Sequence, residues 1–132
     1  MRARAPILCF VAVLAALALA GPPAMSAGAT VRFKGTSGTA QVRPATLYLT
    51  GDGTLTDVHV KWSTWGGGVA TGHGTADWHG CTPNCAQGKR HRDPATVRLS
   101  QIKTCGGQRY YSHATTVTNR GRRFSLGSFA PC

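Results

Sequence analysis

The sequence predicts an all-β protein, a small sandwich or barrel of six to seven short antiparallel strands that is stapled by disulfides. β-Branched and aromatic residues alternate with polar ones, and turn signals recur about every ten residues. No apolar stripe of helical period follows residue 29. Four cysteines do follow it, an even number that is typical of a disulfide framework. These patterns together favour a sheet with one buried face.

The first 29 residues have the pattern of a cleaved secretory signal peptide. Two arginines precede an unbroken apolar run at residues 7–20, and small-residue cleavage patterns follow it. The run is too short for a membrane anchor. We expect cleavage after Ala29, with Ser26 as the alternative. The remaining 30–132 form a single β domain that is secreted or associated with the cell wall, with no stable insertion into a membrane.

The chain is strongly basic. It has 15 Lys and Arg residues against four Asp and no Glu, a net charge of +11. Loss of the leader removes two arginines, which leaves 13 basic and four acidic residues and a net charge of +9. A field of this sign attracts polyanions over long distances. The charge either keeps an exported protein soluble or attracts a partner, and the expected partner is then an acidic extracellular polymer or a secreted protein.

Each predicted strand is a short segment of β-forming residues between turn signals. In chain order, the predicted strands are residues 31–34, 46–50, 57–63, 69–78, 95–102, 109–119 and 123–129. The Gly51–Gly53 segment predicts a hairpin turn, because glycine tolerates the positive φ that such turns need. After it, Val58, Val60 and Trp62 are expected to face the core, with Asp57 on the opposite, polar face.

The fourth and fifth predicted strands contain residues that predict a close approach, a core face and a turn. Gly72 and Gly74 within the fourth strand predict a bulge or a close approach by a neighbouring backbone. Val97 and Leu99 share one face of the fifth strand. Asp93 with the proline that follows it predicts a turn just before that strand.

The cysteines after the leader are expected to form two disulfides, because an exported chain reaches an oxidising compartment. Cys81 and Cys85 bracket a turn-forming Thr-Pro-Asn insert, so we predict that they pair with each other. This assigns Cys105 to the terminal Cys132. Closing that loop would stabilise the fold by about 3 to 4 kcal/mol and would tie down the chain end.

A metal site is the alternative use of the same cysteines. His79, Cys81 and Cys85 offer three soft or borderline ligands, which His73 or Cys105 could complete to a tetrahedron. Structural zinc sites usually carry a ligand pair at both ends, and exported thiols tend to oxidise. We therefore assign no metal ligands and expect no cofactor.

Several blocks between residues 43 and 100 form an ordered set of motifs. They include W-S-x-W-G at Trp62–Gly66 and C-x-P-x-C-A-x-G at Cys81–Gly88, with the Gly51–Gly53 turn ahead of both. In these blocks the chain resembles an uncharacterised family of small exported proteins of high-GC Gram-positive bacteria. The resemblance covers a little under half of the chain and implies export and a shared β domain. Relatives often have a cysteine just before the turn, where this chain has Thr50.

The candidate ligand-binding residues are basic or aromatic. Residues 89–92 and 120–123 are the densest clusters of positive charge, and they would form a polyanion-binding patch if the fold brings them together. Trp65 has the opposite parity to Trp62 and precedes three glycines, so an exposed indole that stacks on sugars or bases is one interpretation and core packing is the other. The predicted ligand-binding residues are Trp65, Lys89, Arg90, Arg92, Arg120, Arg122 and Arg123.

The sequence favours a non-enzymatic binding or structural module with a basic surface. One alternative is a small secreted protease inhibitor that presents residues 87–93 as a rigid loop. Another is a small secreted hydrolase that uses His73, Asp77 and His79, which share one face of a strand. No recognisable nucleophile accompanies these three residues, so we assign no catalytic residue.

Overall fold

The computed structural model describes residues 30–132, and the predicted leader with its cleavage site lies outside the described residues. The strands are β1 (Val31–Arg32), β2 (Leu47–Tyr48), β3 (Leu55–Thr64), β4 (Ala70–His79), β5 (Arg90–Cys105), β6 (Gln108–Thr118) and β7 (Arg123–Gly127). The all-β prediction is confirmed, since residues 30–132 contain no helix. Accordingly, no helix in this range is long and apolar enough to cross a membrane.

All seven strands belong to one mixed sheet that curls into a half-barrel. The order is β1-β6-β5-β4-β3-β2, and β7 also pairs with β6. β1 runs parallel to β6 at Arg109–Tyr110, whereas β7 runs antiparallel to it at His113–Val117. The other neighbours are antiparallel, as predicted. The curl is tight enough for Thr116 on β6 to donate a hydrogen bond to Asp57 on β3, although two strands separate them in the sheet.

The apolar core fills the inside of this curl. Val97 and Leu99 are fully buried there, which confirms that they share the core face. Trp62 packs against the core with its indole N–H on the carbonyl of Pro44 at 2.9 Å. The buried core residues are Val31, Phe33, Leu47, Leu49, Leu55, Val60, Ala70, Ala76, Trp78, Ala95, Val97, Leu99, Tyr111, Ala114 and Phe129.

A bulge in the middle of strand β3 changes which of its side chains face the core. His59 has a φ of 55°, and the register between β3 and β4 shifts just after Val58. Such a bulge interrupts the alternation of side chains. Asp57 and Val60 are therefore both buried, three residues apart, while Val58 is only half-buried. The prediction that Val58 shares the core face and that Asp57 lies on the polar face is wrong, because it assumed an unbroken strand.

Gly72 and Gly74 allow β4 to lie close against this irregular part of β3. A Cβ atom on Gly74 would lie 2.7 Å from the carbonyl oxygen of Val58 and 2.9 Å from Cγ2 of Val60. A Cβ atom on Gly72 would lie 2.8 Å from Cγ1 of Val60 and 2.9 Å from the Trp62 ring. The close approach predicted from the two glycines is confirmed.

Both predicted disulfides are present. Cys81 pairs with Cys85 across Cα atoms 3.8 Å apart, and Cys105 pairs with Cys132 across 5.7 Å. The second bond ties the C-terminus to the end of β5. Disulfides of this kind indicate an oxidising compartment. They also use the sulfurs that the alternative metal site would have needed.

We predict that Gly74→Ala destabilises the protein by about 1 to 3 kcal/mol, because the new methyl group meets the backbone of β3 and cannot be accommodated by a side-chain rotation. Urea unfolding of the oxidised protein measures this. Gly68→Ala is the matched control, since a Cβ there meets nothing within 4 Å, and it should change the free energy of unfolding by no more than about 0.5 kcal/mol. Equal effects of the two substitutions would contradict the close approach.

Candidate functional site

The two basic segments, far apart in sequence, meet at one end of the sheet. Lys89 precedes β5, which begins with Arg90–Arg92, and Arg120–Arg123 runs from the turn after β6 to the first residue of β7. The Arg120 Nε atom lies 3.3 Å from Oδ1 of Asp93, which directly follows the first segment. The turn after β6 thus returns beside the start of β5, and the two segments form one surface.

Trp78 joins the two segments on the inner face. Its ring stacks on that of His91, with centroids 4.2 Å apart and planes inclined by 14°. The guanidinium carbon of Arg122 lies 4.6 Å from the indole centroid, within cation–π distance. The indole N–H donates to Oδ2 of Asp93 at 3.0 Å. A guanidinium that stacks on a ring keeps its in-plane N–H groups for other acceptors.

Asp77 holds two further arginines on the outer face. Arg90 donates through Nε to Oδ1 at 2.6 Å and through Nη2 to Oδ2, and Arg92 Nε lies 3.5 Å from Oδ2. The hydrogen bond from Arg90 lowers the pKa of Asp77 below its usual value and raises the pKa of Arg90. The Asp77 side chain is 9% exposed, against 62% for Arg90 and 57% for Arg92. The carboxylate therefore anchors two cations that still face solvent.

We call the surface formed by Lys89, Arg90, Arg92, Arg120, Arg122 and Arg123 the basic end. All six side chains are exposed. Two carboxylates, Asp77 and Asp93, lie under it. Six positive charges against two negative ones leave an excess of four at one end of a small domain.

Asp93 lies inside β5, so the prediction of a turn at this residue and the proline after it is wrong. Its side chain is buried, and β5 begins at Arg90, earlier than expected. Proline is tolerated here because the ladder between β5 and β6 starts only at Ala95, opposite Thr118. Pro94, one residue earlier, has no β6 partner that would need its missing N–H.

Trp65 lies towards the other end of the sheet and packs, partly buried, against the core. Its ring meets Trp62 edge-on at 4.7 Å and Tyr111 at 5.3 Å. Its indole N–H donates to the carbonyl of Val31 at 2.9 Å. Packing accounts for this tryptophan, and the structure does not bring it together with the six basic residues.

His73, Asp77 and His79 lie at alternating positions of the regular strand β4, as predicted. The ring of His73 bonds to Thr96 at 3.2 Å, and the oxygens of Asp77 accept hydrogen bonds from Arg90. A carboxylate that orients a catalytic histidine would need those lone pairs for the imidazole. Within residues 30–132, no group of three or more potential metal ligands is found.

The segment proposed as an inhibitory loop is mainly strand. Residues 90–93 pair with residues 76–79 of β4 in continuous register. Only residues 87–89 remain outside the sheet. A paired strand cannot enter a protease cleft as a projecting loop, so the expectation of a loop over 87–93 is wrong for most of its length.

Asp57 is a buried carboxyl that the sequence did not reveal. Thr116 Oγ1 donates to its Oδ2 at 2.5 Å, and among the described residues its Oδ1 atom has no hydrogen-bond partner. Burial raises the pKa of Asp57 to about 6, against the opposing effect of the Thr116 hydrogen bond. By contrast, Asp52 sits in the predicted hairpin turn, where the backbone N–H of Thr54 lowers its pKa.

The fold and the basic end define a small, disulfide-stapled half-barrel with a cationic surface built around buried carboxylates. A scan against protein-family models gives no match, and searches of curated proteins and of solved structures give no significant match either. The function must therefore be inferred from the geometry and charge of this surface.

We predict that ionisation of Asp57 makes folding less favourable between pH 4 and pH 7. The unfolded chain releases this proton near its usual pKa of 3.8, whereas the folded protein holds it until about pH 6. Stability therefore falls as pH rises, and the free energy of unfolding should drop by about 2 kcal/mol relative to Asp57→Asn over this range. Denaturant titrations at several pH values measure the difference.

Asp52→Asn is the control for that prediction. The lowered pKa of Asp52 places its effect below about pH 4, so its difference from the unmodified protein should stay flat from pH 4 to pH 7. Parallel stability curves for the unmodified protein and Asp57→Asn would show that burial does not perturb this carboxyl.

Proposed function

We propose that this protein is exported and acts, outside the cell or at the cell wall, as a non-enzymatic binding module whose basic end holds acidic extracellular polymers. The leader pattern and the two disulfides support export. The observation that carries the binding proposal is the convergence of residues 89–92 and 120–123 on one surface.

The charge of this surface suits a polyanion. Four excess positive charges are gathered at one end of the domain, where their potentials add. A flexible polyanion carries condensed counterions, and cations that replace them gain free energy from counterion release. Attraction of this kind needs exposed cations and no deep pocket. The exposed arginines supply such cations.

The buried carboxylates make the surface ready to bind. Arg90, Arg92 and Arg120 are each within ion-pair distance of Asp77 or Asp93, and Arg122 rests on Trp78. Side chains that are already ordered lose less conformational entropy when a ligand arrives. The remaining N–H groups of each guanidinium can then bond to the polymer.

We expect retention on immobilised heparin that weakens as salt rises, and a smaller salt dependence after Lys89→Gln/Arg123→Gln. Neither residue is needed to neutralise a buried carboxylate, so the fold should survive both changes. Loss of two contacts should reduce the slope of log affinity against log salt by about 1 to 2. Binding isotherms at several salt concentrations give the slope.

The control is Arg98→Gln/Lys103→Gln, which removes two charges from positions further along β5. It matches the net charge of the test variant and should leave the slope nearly unchanged. If both double variants lose the same slope, total charge governs retention and the basic end has no special role. If the unmodified protein does not bind heparin, acidic wall polymer or polyphosphate, the proposed function fails.

A further inference from the structure

The outer face beside the basic end carries a row of four side chains, one from each of four adjacent strands. Tyr48 of β2 lies opposite Thr56 of β3, Thr56 lies opposite Asp77 of β4, and Asp77 lies opposite Arg92 of β5. Cross-strand partners share a face of the sheet. Neighbouring strands are about 4.8 Å apart, so the row spans roughly 14 Å. We call it the outer row.

A shallow cleft of about 410 Å³ covers most of this row. Its lining includes Tyr48, Thr56, Val58, Asp77, His79 and Arg90. The cleft therefore brings together the ring of Tyr48, the hydroxyl group of Thr56 and the guanidinium of Arg90. Its carboxylate, Asp77, is already paired with Arg90 and Arg92, so these three groups together carry a net positive charge.

Tyr48 is an exposed aromatic residue at the end of the outer row. Its side chain is 48% exposed, and it is the one aromatic residue among the exposed large hydrophobic residues of the described chain. Its backbone is held in place, because the carbonyl oxygen accepts hydrogen bonds from the N–H and the hydroxyl of Thr36 at 2.9 and 3.1 Å. A fixed strand thus presents a flat ring to solvent in the cleft that Arg90 also lines.

We infer that the outer row binds a carboxylated polysaccharide. This inference rests on the proposed binding of acidic polymers and names the chemical class of the polymer. The ring of Tyr48 packs against the C–H face of one sugar. The hydroxyl of Thr56 bonds to sugar hydroxyl groups, and Arg90 with Arg92 binds the carboxylate of a uronic acid. The length of the row allows more than one sugar ring to lie across the strands.

The composition of the row favours a sugar acid over a polyphosphate. A polyphosphate chain offers charge alone, and Arg90 and Arg92 would bind it without help from Tyr48. A neutral polysaccharide would use the ring and the hydroxyl but would leave the two guanidinium groups without an anion. A carboxylated sugar has an apolar ring face for Tyr48, hydroxyl groups for Thr56 and an anionic group for the two arginines.

The test compares three polymers in calorimetric titrations of the oxidised protein at one fixed ionic strength. They are polygalacturonate, its fully methyl-esterified form and inorganic polyphosphate. We expect the unmodified protein to bind polygalacturonate more tightly than the ester, because the ester lacks the carboxylate. Tyr48→Ala should weaken polygalacturonate binding roughly five- to tenfold. Tyr48→Phe keeps the ring and should retain the affinity, and neither variant should change polyphosphate binding.

Each outcome separates the inference from the function on which it rests. If Tyr48→Ala leaves polygalacturonate binding unchanged, or weakens polyphosphate equally, the outer row does not recognise sugar and the inference is overturned, while binding of polyanions stands. Equal binding of polygalacturonate and its ester also overturns the inference. If neither polygalacturonate nor polyphosphate binds, the inference is overturned, and the proposed function fails as well if heparin and acidic wall polymer also do not bind. Tyr48 is exposed, so urea unfolding should confirm that Tyr48→Ala folds normally.

Discussion

The close approach of β3 to β4 across Gly72 and Gly74 is the constraint on which the rest of the structure depends. A Cβ atom would collide with Val60 at both positions, and in addition with the Trp62 ring at Gly72 and with the backbone of Val58 at Gly74. The bulge at His59 adds twist and bend to the same pair of strands. A flat sheet could not bring Thr116 on β6 to Asp57 on β3, so the curl makes that hydrogen bond possible and encloses the core.

The same geometry determines what each acidic residue of a basic protein does. Asp57 faces the inside, where burial favours its protonated form. Asp77 faces outwards beneath Arg90 and Arg92, and Asp93 faces inwards between Trp78 and Arg120. The last two carboxylates lie at opposite faces of the same end of the sheet. Together they hold cations on both faces of the strand ends.

Local sequence patterns predicted the parts of the fold that depend on neighbouring residues. The Cys81–Cys85 turn, the glycines of β4 and the alternation of Val97 and Leu99 are of this kind. The bulge at His59 was missed because a histidine with positive φ has no distinctive pattern, and its omission put Asp57 on the wrong face. Tyr48 was missed as well, since its neighbours in the outer row come from three other strands and only the register places them together.

The sequence showed two basic clusters, but their meeting depends on how β6 returns alongside β5. The return places Arg120 on Asp93 and Arg122 on Trp78. In every ion pair at the basic end the carboxylate is at most 9% exposed and the arginine at least 57%. Such a pair neutralises a buried negative charge while the outward N–H groups stay hydrated and available. The buried acids therefore cancel two of the six positive charges of the basic end, and they fix the arginines where a polymer can reach them.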